Sequence, residues 1–275
     1  MKQQPIGVFD SGVGGLSVLR HLQTQLPAEQ FIYLADQGHV PYGSRSAQEI
    51  IQFSQGITQF FLQLNVKAIV VACNTASAAA LSLLRQQFDL PFVGMEPAVK
   101  PAAQQTQSGK VGILATGGTF ASTRYARLTA KYARSVKVWE DPCVGLVPEI
   151  EAGRLDSPAV HQILRQALTP MLAAGVDTVV LGCTHYPFVL PVVEGIVGMA
   201  VTIIDPAPAV ARQTGVVLRQ HNLLANATQV GGLRFITTGT AKPYARQVEQ
   251  LLDLSGDGVE TAVWNGDRLS VNRNR

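Results

Sequence analysis

Apolar residues gather along the chain in short runs of four to six positions. These alternate with longer stretches in which apolar positions recur every three or four residues. The short runs are Ile6–Asp10, Phe31–Asp36, Lys67–Ala72, Pro91–Met95, Val111–Ala115, Val136–Glu140, Thr178–Leu181, Val201–Asp205 and Arg234–Thr238, rich in Val and Ile but without strict alternation. A strand covered on both faces has that pattern, because neither face must stay polar. The stretches Ala47–Leu64, Ala76–Phe88, Ala159–Ala174 and Pro208–Leu224 carry the helical period. Strand alternating with helix predicts an α/β fold of open, mostly parallel sheets with helices on both faces.

The pattern repeats. "IGVFDSGVGGLSVLRHL" (6–22) and "VGILATGGTFASTRYARL" (111–128) each read as a strand, a Gly-rich turn and a helix start, 105 positions apart. Two further segments, "IVVACNTASA" (69–78) and "VVLGCTHYP" (179–187), place Cys73 and Cys183 at matching strand ends 110 positions apart. Two similar, pseudo-duplicated α/β lobes facing a central cleft account for both repeats. The expected division is 1–96 plus 206–275 for the first lobe and 97–205 for the second, because Arg234–Thr238 needs the first sheet to join. Ligands of open parallel sheets bind beyond the carboxyl ends of strands. Asp10, Asp36, Cys73, Thr116 and Cys183 fall there, so the cleft should receive one thiol from each lobe.

Composition narrows the classes. With 275 residues, 47% hydrophobic and 15% charged, the chain is globular and large enough for a sizeable core. A net charge of +3, with no stripe of Lys or Arg, argues against nucleic acid as a partner. The tail Asn272-Arg273-Asn274-Arg275 reads as a solvated end. No apolar run reaches the length of a membrane span and Met1–Pro5 leads directly into a strand, so the expected location is the cytoplasm, away from membranes. Three cysteines in a reducing compartment stay as thiols, and none of the spacings suggests zinc or another metal. A Cys73–Cys183 disulfide is not demanded by anything in the sequence.

Two opposed thiols suit a reaction in which one takes a proton from a carbon and the other delivers one to the opposite face. A free thiol titrates at roughly 8.5, so both protonation states are reachable with modest tuning. Asp10 is placed to orient Cys73, and His185 to do the same for Cys183. Cys143, in "DPCVG", lacks such neighbours and reads as a spectator. Ser11, Asn74, Thr75, Thr116, Thr119 and Thr184 are short polar side chains at strand ends or helix starts, able to hold carboxylates. Thr119 by itself reads more readily as a helix cap. In "VPYGSRS" (40–46), Gly43 lets the turn approach a ligand. Asp36 and Glu151 are candidate pocket acids, holding an ammonium group or adjusting nearby protonation. Gly12-Val13-Gly14-Gly15-Leu16-Ser17 imitates a dinucleotide fingerprint, but Ser17 replaces the third glycine and Asp10 would repel a pyrophosphate, so no nucleotide cofactor is expected.

Taken together, "FDSGVGGLSV" (9–18), "PYGS" (41–44), "ACNTASA" (72–78), "LVPEIEAG" (146–153) and "LGCTHYPF" (181–188) resemble glutamate racemase in order and spacing, from about Ile6 to Arg212 and more thinly beyond. The resemblance implies cofactor-independent interconversion of L- and D-glutamate, with D-glutamate entering bacterial peptidoglycan and a homodimer as the usual assembly. It implies that Cys73 removes the α-proton of D-glutamate and Cys183 that of L-glutamate. Asp10 and His185 match its assisting residues, and Asp36 and Glu151 its nearby acids. Asp10, Ser11, Pro41, Tyr42, Gly43, Ser44, Asn74, Thr75, Thr116, Thr119, Thr184 and His185 match its substrate contacts. His39 and Val40 lie in a loop that varies in the family, and "DPCVGLVPEIE" departs from the usual spelling around Glu151. Without an N-terminal extension, activation by a cell-wall precursor is not expected. Rival readings are an aspartate racemase of similar architecture, a cysteine hydrolase built on Cys183 and His185, and a two-lobed amino-acid-binding module.

Overall fold

The computed structural model describes residues 1–271; the expected solvated tail 272–275 lies outside the described residues. Eleven strands form in chain order: β1 (Ile6–Asp10), β2 (Gln30–Ala35), β3 (Ala68–Val71), β4 (Phe92–Gly94), β5 (Lys110–Leu114), β6 (Lys137–Asp141), β7 (Thr178–Leu181), β8 (Thr202–Ile204), β9 (Gly232–Thr237), β10 (Glu260–Asn265) and β11 (Arg268–Val271). The first nine fall on the apolar runs of the sequence, displaced by a residue or two. Burial on both faces explains why those runs do not alternate: every residue of β1, β3 and β7 is buried.

The strands make two sheets, in the orders β11-β10-β9-β2-β1-β3-β4 and β6-β5-β7-β8. All pairings are parallel except the β10–β11 hairpin. The run β2-β1-β3-β4 in one sheet and the run β6-β5-β7-β8 in the other have the same topology, which is the structural form of the internal repeat. In each, the strand order reverses beside the first strand of the unit, between β1 and β3 and between β5 and β7. Such switch points open crevices at the carboxyl ends of strands. Asp10 and Cys73 end or follow β1 and β3; Thr116 and Cys183 follow β5 and β7.

Three elements at the end of the chain are additional to the expected set: the helix Ala241–Leu252 and the strands β10 and β11. The hairpin signal is local. Asn265-Gly266 turns the chain between β10 and β11, with Gly266 at φ 63, a conformation that glycine adopts at little cost. One buried apolar cluster joins Val8, Val13 and Leu16 to Leu146, Ile150 and Tyr186, so the two sheets share packing beside the cleft.

Local signals fix the helix starts. Ser46 and Glu49 form a reciprocal capping box at the helix Ala47–Gln63, and Ser157 caps Pro158–Ala173, with Pro at the first position. Cys73 itself is the N-cap of Asn74–Gln87, its sulfur accepting the Ala76 N–H at 3.4 Å.

Candidate active site

Cys73 and Cys183 are 4% and 5% exposed, and all three cysteines are free thiols. Cys73 leaves the first sheet and Cys183 the second, and they stand near enough for the charge of one to raise the pKa of the other. Each has its own partner. Cys73 lies near enough to the fully buried Asp10 to feel its charge. Burial, and then the Asp10 charge, push the Cys73 thiol well up. Burial likewise raises Asp10, an effect offset in part by the nearby His185 charge. The Asp10 carboxylate is held by the Gly15 N–H at 2.7 Å and approached by the Ser11 hydroxyl at 3.4 Å.

Cys183 Sγ lies 3.7 Å from His185 Nδ1, and His185 Nε2 lies 2.6 Å from Glu151 Oε1. Burial alone would lower His185, but its hydrogen bonds to Cys183 and Glu151 hold it well above the usual imidazole range. Burial would raise Glu151, yet its bond to His185 and that ring's charge bring it below the usual carboxylate range. The segment around Glu151, spelled unusually, therefore delivers a carboxylate to the thiol side through a histidine.

These signs set a pH window for stability. The lowered Glu151 stabilises the fold above its unfolded value of about 4.3, and that contribution disappears as pH falls through the folded value. The raised His185 stabilises below its unfolded value of about 6.5, with the contribution lost as pH rises through the folded value. In thermal unfolding across pH, the gap in Tm between the wild type and Glu151→Gln should be widest from about pH 4.5 to 6.5. It should narrow on either side; a gap independent of pH would remove the ion pair from the account.

The glycines of "GVGGL" have a steric explanation. A Cβ on Gly12 would stand 1.9 Å from Glu151 Oε1, one on Gly14 would stand 2.3 Å from His185 Nδ1, and one on Gly15 would meet Tyr33 Oη at 2.7 Å. The turn after β1 is bare so that the Glu151–His185 pair of the other sheet can press against it.

Around the thiols stand the short polar side chains. Asn74 is 3% exposed, and neither end of its amide bonds to another of the described residues. A buried amide left open costs about 1–3 kcal/mol, so both ends of this side chain are available to a partner from outside the chain. Thr75 and Thr116 face each other from the two lobes, Oγ1 to Oγ1 at 2.9 Å, and Thr116 reaches Thr119 Oγ1 at 3.2 Å. The helix cap is Thr116 rather than Thr119: its oxygen accepts the Thr119 N–H. Thr119 is left as a fully buried hydroxyl beside it. Thr184 is buried next to Gly14, its carbonyl accepting the Ser17 hydroxyl at 2.9 Å.

Two expected residues are used differently. The Asp36 carboxylate is fully buried and already accepts four donors: Tyr42 Oη at 2.7 Å, the His39 ring at 2.9 Å, Thr238 Oγ1 at 2.7 Å and Trp264 Nε1 at 2.8 Å. It serves as a brace for the turn that carries Pro41, Tyr42 and Gly43, and its lone pairs are not free to hold an ammonium group. Ser44 is exposed and turns its hydroxyl back to the Pro41 carbonyl at 3.3 Å. Gly43 meets the second lobe, where a Cβ would lie 3.0 Å from Thr116. Cys143 is buried at φ 44, its thiol pushed up by burial and by Asp141. Sequence patterns gave no notice of Gln37, Thr238, Gln247 or Trp264. Their bonds depend on segments that meet only in the folded chain. Among the described residues, no group of three or more His, Cys, Asp or Glu is arranged to hold a metal ion.

Similar proteins carry the same architecture. The chain is 48% identical over 254 residues to a glutamate racemase of Herpetosiphon aurantiacus, an alignment covering 92% of this chain and all of that protein. The crystal structure of a glutamate racemase isoform from Bacillus anthracis superposes with a TM-score of 0.86 at 34% identity, covering 98% of this chain and 100% of the other. The glutamate racemase of Francisella tularensis in complex with D-glutamate superposes with a TM-score of 0.82 at 29% identity, over 96% and 98% of the two chains. The sequence pattern of the Asp/Glu/Hydantoin racemase family spans residues 6–214, from β1 past β8. With both thiol segments inside that span, the chain belongs to the Asp/Glu/Hydantoin racemase family.

Proposed function

We propose that this protein is an isomerase that interconverts L- and D-glutamate by a two-thiol mechanism without a cofactor, supplying D-glutamate for peptidoglycan. The observation that carries the reading is the pairing of Cys73 with Asp10 on one lobe and of Cys183 with the His185–Glu151 pair on the other. The glutamate racemases of high identity and matching fold support the substrate. The two sheets support a division into lobes of 1–96 plus 206–275 and 97–205. The reading extends to a homodimer in the cytoplasm; no helix of the described residues is long and apolar enough to cross a membrane.

In the L-to-D direction, Cys183 acts as a thiolate and takes the α-proton, while the Cys73 thiol delivers a proton to the opposite face. The electron pair left on the α-carbon becomes the new C–H bond; the proton taken by Cys183 then returns to the solvent-exchangeable pool, and Cys73 takes one from that pool to restore its thiol. The D-to-L direction reverses the roles. Burial and the Asp10 charge favour a protonated Cys73, which suits it to deliver the proton in this direction. Asn74, Thr75, Thr116, Thr119 and Thr184 are the proposed anchors for the substrate's charged groups. Fixed donors in a dry site would stabilise the developing carbanion.

In deuterated solvent without added cofactor, both glutamate enantiomers should lose their α-proton and racemise. Aspartate should exchange at least tenfold more slowly, roughly the lower end of what one methylene discriminates. Faster exchange of aspartate would reassign the substrate. An acyl-enzyme formed in the absence of exchange would point to a cysteine hydrolase, and tight binding without exchange to a binding module.

A further inference from the structure

We propose that Gln37 and Gln247 are positioning residues that hold Glu151, and through it the His185 imidazole, in register with Cys183. This rests on the two-thiol reading above. The proton bookkeeping leaves each amide one orientation. The Glu151 carboxylate only accepts, so Gln37 turns Nε2 toward it, and its Oε1 takes the Thr237 hydroxyl at 3.1 Å, whose oxygen in turn accepts the Gly239 N–H at 3.0 Å. Gln37 Nε2 then divides its two protons between Glu151 Oε2 at 3.2 Å and Gln247 Oε1 at 2.8 Å. Gln247 Nε2 donates to the carbonyl of Glu151 itself. The other carboxylate oxygen, Oε1, receives His185 Nε2 and the Val13 N–H at 2.8 Å. Glu151 is thus gripped at three polar atoms, its two carboxylate oxygens and its carbonyl.

The grip joins separate parts of the molecule. Gln37 follows β2 in the first sheet, and Gln247 lies on the helix Ala241–Leu252, beyond residue 214 where the family pattern stops. That helix is tied on both sides, by Gln250 donating to the Gly153 carbonyl at 2.9 Å and by Arg20 donating to the Leu251 carbonyl. Cys73 makes no hydrogen bond in this network and feels it only through the charges that act on Asp10, which is itself held by Gly15 and Ser11. Loss of the amides should therefore burden one thiol more than the other.

Because the two enantiomers of free glutamate have equal energy, kcat/KM is the same in both directions, and the asymmetry must be read elsewhere. In Gln247→Leu, kcat should fall roughly tenfold, a fraction of a full acid–base contribution. The primary deuterium isotope effect should rise for α-deuterated L-glutamate, whose proton Cys183 takes, and shrink for α-deuterated D-glutamate. The alkaline limb of the pH profile should move to lower pH, since His185 loses part of what raises it. The His185 Nε2–H resonance, assigned by its loss in His185→Gln, should shift or broaden in Gln247→Leu. Gln37→Leu should repeat the pattern and stands in if Gln247→Leu fails to fold. Equal isotope effects in both directions with an unmoved imidazole resonance would overturn the proposal. A wild type that does not act on glutamate would defeat the functional reading alone, leaving the imidazole resonance to judge the positioning.

Discussion

Cys73→Ala and Cys183→Ala should each lower racemisation by at least two to four orders of magnitude, roughly the contribution of one acid–base group. Inversion needs a proton donor on one face while the base works on the other, so neither thiol can replace its partner. The residual chemistry should differ between the two. With Cys73 gone, Cys183 can still remove the α-proton of L-glutamate and return a deuteron to the same face. With Cys183 gone, the same one-sided exchange is open only to D-glutamate. Proton NMR in deuterated buffer, with chiral analysis of the product, separates exchange from inversion. Cys143→Ala is the internal control, expected to racemise within about twofold of the wild type, because this thiol serves neither Asp10 nor the His185–Glu151 pair and acid–base catalysis is lost only with a participating group. Normal racemisation by Cys73→Ala would end the two-base account.

Gly14→Ala is expected to be highly damaging although it leaves all chemical groups in place. Gly14 does not have positive φ, so alanine is compatible with its backbone. The obstacle is the other lobe: the added carbon would lie 2.3 Å from His185 Nδ1, 2.6 Å from Cε1 and 2.7 Å from Thr184 Oγ1. Either the ring leaves Cys183 or the lobes part. A displacement of about 1 Å at a reacting group costs on the order of 100-fold, and kcat/KM should fall by about that factor. Overpacking should also lower stability by about 1–3 kcal/mol, which thermal unfolding would register. Gly195→Ala provides the contrast. It lies within the helix Leu190–Val197 with open space around it, and alanine there should stabilise by about 0.5–1 kcal/mol. Wild-type kinetics in Gly14→Ala would mean that the close approach of the lobes is not part of the working state.

The near-match to a dinucleotide fingerprint shows how a motif is understood only with its partner surface. As a string, Gly12-Val13-Gly14-Gly15 suggests a phosphate cradle; in the fold, the glycines make room for Glu151, His185 and Tyr33. Asp36 shows the reverse. Its place at a strand end suggested a pocket acid, but Trp264 and Thr238, which occupy half of its acceptor capacity, are more than 200 positions away in the chain. At the C-terminus neither the β10–β11 hairpin, although its Asn265-Gly266 turn is a local signal, nor the destination of Gln247 was among the sequence expectations.

From the order of residues alone come the alternation of strand and helix, the duplicated lobes, the cleft at strand ends and the two matched thiols, with His185 two residues from Cys183 and Asp10 at the end of the first strand. These are short-range properties: strand burial, turn chemistry and helix capping act within a few residues, and a parallel sheet then brings its strand ends to one edge. Only the tertiary structure decided that Glu151 serves His185, that Asp36 is a brace, that the Ser44 hydroxyl turns to the Pro41 carbonyl and that two glutamines grip Glu151. Those roles depend on hydrogen-bond directions between segments as far apart as Gln37 and Gln247, separated by 210 positions. A hydrogen bond fails with an error of an ångström or a few tens of degrees, and no local pattern in the chain encodes that geometry.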